Sequence, residues 1–173
     1  MTATDPLDED LFAGREPEEG QAQALLEQYK LFVNTSEALV QRRRGVNTFF
    51  LSVNSLLLAA AGLIVRDGVF GGVESLILIS LSVSGGVLCL VWRSLISSFR
   101  QLSTGKFKVI HALEQRLPAR IFSAEWVALG EGKDPSIYKP FTGTESKTPI
   151  AFLVLHLVLL VAGAWRALAS LAS

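Results

Sequence analysis

His156 is the only titratable side chain in the uncharged run 149–165. An ionisable group at bilayer depth is a functional suspect by default. Its ordinary pKa, near ~6.5, would suit proton sensing. The commoner role is a neutral ring hydrogen-bonded to a neighbouring helix. Asn47 and Asn54 lie seven positions apart in a second such run. They share one helical face, where they can bond an adjacent helix or line a polar pore. Glu74 opens a third run, where a carboxylate favours the positive helix N-terminus and lies within reach of Arg66. Cys89 is the single cysteine, so no intramolecular disulfide can form; it suits a small buried packing role.

Arg42, Arg43 and Arg44 stand directly before the first run and Arg93 directly after the second. Such bases sit among anionic headgroups and are retained on the cytoplasmic side. The alternative is a salt-bridged joint with acidic groups of the cytoplasmic part. Nucleic acid is disfavoured, because no aromatic platform or second basic stripe accompanies them. Reaction motifs are missing: there is no H-E-x-x-H, no G-x-S-x-G and no metal-spaced Cys/His set. "GEGKD" departs from a phosphate loop, because Val127 stands where its first glycine belongs and Asp134 replaces its hydroxyl residue. His111 and His156 are expected on opposite sides of a lipid boundary. The expectation is a protein that is not an enzyme, with no cofactor and no metal.

The elements that carry these residues follow from hydropathy. Only 18% of the 173 residues are charged, against about a quarter in an ordinary soluble domain. Mean hydropathy is +0.40. A helix of roughly 20 apolar residues crosses the hydrocarbon core, and an open strand cannot satisfy its amides there. Transmembrane helices are therefore predicted at 45–66, 72–92 and 149–169. Small residues on one face (Thr48, Ser52, Ser55, Ala59 and Gly62 in the first; Ser75, Ser82, Gly86 and Cys89 in the second) let such helices associate.

Outside the spans, apolar residues recur at helical spacing over 21–44, including Leu25, Leu26, Tyr29, Phe32 and Val33. This predicts an amphipathic helix, with Gly45 a place where it could bend. Residues 93–148 read as a helix that ends by Pro118, weakest at 103–105, and then a loop region pegged by Trp126, Tyr138 and Phe141. Residues 1–20 carry Asp5, Asp8, Glu9, Asp10, Glu16, Glu18 and Glu19 against one Arg. This reads as an acidic disordered tail rather than a signal peptide. The bases place the N-terminus and 93–148 in the cytoplasm and the C-terminus outside.

The fold class is all-α: a three-span transmembrane helical protein with helical cytoplasmic extensions, forming a homo-oligomeric ring. Expected partners are membrane lipid, further copies of itself and an unidentified cytoplasmic protein, with no nucleic acid. The leading function is a scaffold or sensor working through the cytoplasmic helices. A gated pore lined by Asn47 and Asn54 is the alternative, and lipid binding through Arg42–Arg44 a weaker one.

The segments "LLEQYKLFVNTSEALVQRRRGVNTFFLSVN", "KFKVIHALEQRLP" and "AEWVALGEGKDPSIYKPFTGTESKTP" resemble the RipA family of bacterial octameric inner-membrane proteins over roughly residues 24–160. The resemblance implies a small inner-membrane protein that assembles as an octamer. It implies no reaction, cofactor or catalytic residue.

Overall fold

The computed structural model describes residues 6–12, 20–67, 73–138 and 145–172. Five α-helices follow in chain order: α1 (Pro6–Phe12), α2 (Ala22–Asp67), α3 (Glu74–Glu114), α4 (Ile121–Ala128) and α5 (Lys147–Ala172), with a 3-10 turn at Gly130–Gly132 after α4. There is no strand among the described residues. α2, α3 and α5 each contain a window of mean hydropathy 2.0 to 2.1, long and apolar enough to cross a membrane. Those windows are only 17% to 28% buried inside the protein, so most of each apolar surface is left for lipid or for other copies. α2 has 46 residues, about 69 Å at ~1.5 Å per residue, more than twice a ~30 Å hydrocarbon core. It stays helical through Gly45, and α3 stays helical through Gly105. A single interior glycine costs only about 1 kcal/mol, which helices of this length absorb.

The acidic N-terminal segment departs from the expected tail, because Pro6–Phe12 form α1. Proline is favoured at a first helical position, and the Phe12 ring takes the Arg116 guanidinium at 3.5 Å from its centroid. Residues 1–5 and 13–19 of that segment lie outside the described ones.

The chain divides into two compact units. The first is Met1–Gln41 with Phe99–Pro140; the second, here called the span unit, is Arg42–Ser98 with Phe141–Ser173. In the first unit the two amphipathic stripes meet each other. Leu39 of α2 and Ile110, Ala112 and Leu113 of α3 are buried. Lys106 donates to Thr35 Oγ1 at 2.7 Å and lies 4.4 Å from the Phe32 ring centroid. α4 packs back through Phe122, whose ring lies 6.5 Å from that of Tyr29 and edge-on to Phe107 at 6.1 Å. Trp126 and Tyr138 pack edge to face at 6.5 Å, while Phe141 lies outside the described residues. Gly130, Glu131 and Gly132 are all left-handed, with φ of 63°, 53° and 68°. Glycine makes two of these positions nearly free of strain. The turn closes so tightly that a Cβ on Gly132 would come within 3.1 Å of the Trp126 ring.

In the span unit Phe50 stacks on Trp92 at 5.8 Å, and Phe152 of α5 tilts against the same indole at 6.2 Å. A second cluster joins Ala61, Ile64 and Leu78 with Leu159 at its edge. Next to it, a Cβ on Gly163 would lie 3.3 Å from Leu78 Cβ and 3.2 Å from Ile79 Cγ1, so α5 approaches α3 closely there. Gly163→Val is expected to destabilise the protomer by about 1–3 kcal/mol through overpacking. Gly62→Val is the control, because nothing lies within 4 Å of its Cβ position. Thermal unfolding in detergent should separate the two; equal midpoints would refute the close approach.

Candidate functional site

Asn54 is fully buried in the span unit and acts as a three-way joint. Its Nδ2 donates to the Phe50 carbonyl at 2.8 Å, one helical turn back, and this fixes which way the amide points. Oδ1 then faces α3 and α5. It accepts from the Cys89 thiol at 3.2 Å and from His156 Nε2 at 3.1 Å. An amide oxygen can only accept, so the neutral His156 ring carries its proton on Nε2 and leaves Nδ1 a bare acceptor. His156 Nδ1 and Ser82 Oγ are buried with no hydrogen-bond partner among the described residues. The ring sits where a side chain at Gly85 would be: a Cβ there would fall 2.1–2.5 Å from Cε1, Nε2 and Nδ1. One amide thus ties together three helices whose bonded residues are up to 102 positions apart. The Cys89 proton goes to an amide oxygen, so the bonds of this amide serve to hold the helices together.

Nearer the arginine cluster midway along α2, Trp92 Nε1 donates to Asn47 Oδ1 at 2.9 Å. The Arg43 guanidinium bonds the Glu145 carboxylate, and both are partly buried. Arg42, Arg44 and Arg93 are exposed. Glu74 is half-buried in the first turn of α3.

The first unit holds a second polar centre. Glu114 is the last residue of α3 and fully buried. Its carboxylate accepts from Phe122 N at 2.7 Å, Ser123 N at 3.1 Å, Ser123 Oγ at 3.0 Å and Tyr29 OH at 3.0 Å. Arg120, the N-cap residue of α4, offers no side-chain cap. Glu114 supplies it from another helix, where a negative charge also meets the positive helix end. Burial pushes its pKa upward, but the four hydrogen bonds outweigh that and hold it below the usual carboxylate value. Burial, then the bond to Glu114 and its charge, push the Tyr29 hydroxyl up to about 12. His111 Nδ1 lies 2.8 Å from Ser123 Oγ. The one serine proton goes to Glu114, so His111 Nδ1 is the donor in that contact.

Three parts of these sites escaped the sequence reading. Gly85 was signalled only by a glycine doublet inside a span. Glu145 was signalled by the need of three clustered arginines for an acid. Nothing local marks Glu114, which reads like any acid at a helix end. Among the described residues no three His, Cys, Asp or Glu converge as a set that could hold a metal. No curated protein and no solved structure matches the chain. The family model described as "Octameric membrane protein family (8xMP)" matches residues 26–165. That stretch includes both polar centres and most of all three long helices, and the chain belongs to the octameric membrane protein family.

Proposed function

We propose that this oligomeric membrane protein is a non-catalytic scaffold or sensor of the inner membrane, working through a cytoplasmic first unit. The observation that carries the reading is the surface of that unit. It is tied together by a buried carboxylate, yet Leu31 and Ile137 are 67% and 56% exposed. Large apolar groups outside any membrane-length run mark contact surfaces. Arg42–Arg44, Arg93, Arg100, Lys106, Lys108 and Lys147 lie at one end of the spans, against Arg66 and Arg166 at the other. That bias favours an N-terminus inside and a C-terminus outside. A photo-crosslinking residue in place of Ile137, in native membranes, should capture a soluble cytoplasmic protein. Capture of lipid alone would sink the reading.

A scaffold needs no conducting path, and the asparagines that suggested one are engaged inside the protomer. Proteoliposomes of the purified oligomer are expected to show no ion flux above protein-free vesicles, either as wild type or as Asn54→Asp. Flux abolished by Asn54→Leu would replace the scaffold with a pore.

A further inference from the structure

α4 reads "IFSAEWVA", with six of eight side chains apolar, yet none of its residues is buried. The same unit holds an open, largely apolar groove between α2 and α3. Val33, Leu39 and Val40 of α2, Phe107 and Ile110 of α3 and Phe122 of α4 supply its apolar lining. Val40 and Phe107 are 43% and 42% exposed on it. A convex apolar helix and an apolar groove of matching character thus occur on one protein.

Symmetry says what can bring them together. Chains inserted in one direction share the membrane normal, so an octamer of them cannot contain two-fold axes in the membrane plane. What remains is a cyclic ring, in which each copy presents two different, complementary faces. Charges give the contact a register. Glu37 and Lys106 lie on the groove, and Arg120 and Glu125 flank or lie on α4. Among the described residues none of the four pairs with an opposite charge. Each face thus carries one acid and one base, so a docked α4 can offer Glu125 to Lys106 and Arg120 to Glu37, the kind of complementarity that fixes orientation. The membrane surface is a poorer occupant. Residues 121–138 carry Glu125, Glu131 and Asp134 against Lys133 alone, and anionic headgroups repel such a face.

We propose that in the octamer the exposed face of α4 seats in the α2–α3 groove of the neighbouring copy. The proposal rests on the homo-oligomeric reading above and names that contact. It is tested on the full chain in native membranes and in lipid nanodiscs, by oxidising Val127→Cys/Val40→Cys and Ile121→Cys/Phe107→Cys double variants with Cys89 retained. The expected result for at least one pair is a ladder of disulfide-linked species up to eight chains, collapsed by reductant, with none from any single variant. Dimers from Val127→Cys alone would mean a self-paired face and overturn the proposal. An octamer intact by native mass measurement with no ladder from either pair would overturn it while leaving the oligomer standing. A chain that is monomeric in nanodiscs would instead remove the reading beneath it. A fluorophore on Val127→Cys quenched by brominated lipid, or trapping of a different protein at that position, would give the face to another occupant and likewise refute the proposal.

Discussion

Gly85→Ala is expected to cost the span unit about 3 kcal/mol, the upper end for overpacking. One methyl group would stand 2.1–2.5 Å from three atoms of the His156 ring. An exposed ring would swing aside, but this one is 2% exposed and held by Asn54. Moving it breaks the hydrogen bond between α2 and α5, a further loss of roughly 0.6–2 kcal/mol. The measurement is thermal unfolding of the detergent-solubilised protein, repeated with His156→Ala and with the double variant. His156→Ala alone leaves a cavity and destabilises. Combined with Gly85→Ala it should be less harmful than the sum of the two, because the methyl group then has room. Strict additivity would mean that the ring does not occupy the Gly85 notch.

Glu114→Ala should be the most damaging change in the first unit, at about 3–5 kcal/mol. It strips a buried carboxylate from two amides and two hydroxyls, and hydrogen bonds to charged groups contribute about 1.5–3 kcal/mol each, not additively. Glu114→Gln is no conservative exchange, since its amide nitrogen would confront donors with a donor. Hydrogen exchange should show the Phe122 and Ser123 amides losing protection in both variants while those of the span unit keep theirs. The pH dependence carries two signs. Glu114 is held low, so its contribution is present above the unfolded value near ~4.3 and is lost as pH falls through the lower folded one. Tyr29 is raised to about 12, so its contribution is complete below the unfolded value near ~10 and is lost as pH rises through the folded one. Protection at Phe122 and Ser123 should therefore be flat between roughly pH 5 and 9 as far as these groups are concerned. A drop inside that window that persists in Tyr29→Phe would assign the control to another group.

What the sequence made legible tracks the range of the physics involved. Three apolar helices could be read because hydropathy is a property of each segment alone. Asn54 and His156 stood out because a polar group costs most where everything around it is apolar. Their partnership did not, since it depends on helices that meet only after the chain has reversed twice. Gly85 carries no side chain to read; its meaning lies in the ring of another helix. Glu114 looked solvated because acids at helix ends usually are. It is buried only because the turn after Leu117 delivers the bare amides of α4 onto it. Pro6–Phe12 were obscured by the acids around them, and the ring–guanidinium contact that seats the segment lies beyond any local window.

The thiol of Cys89 has one further consequence. It is 1% exposed and gives its hydrogen to an amide, and the chain has no other sulfhydryl. Maleimides and mild oxidants should pass the folded molecule by, which makes it a silent background for labelling. A probe attached anywhere else would report from one address, and swings in the surrounding redox poise should leave the fold untouched.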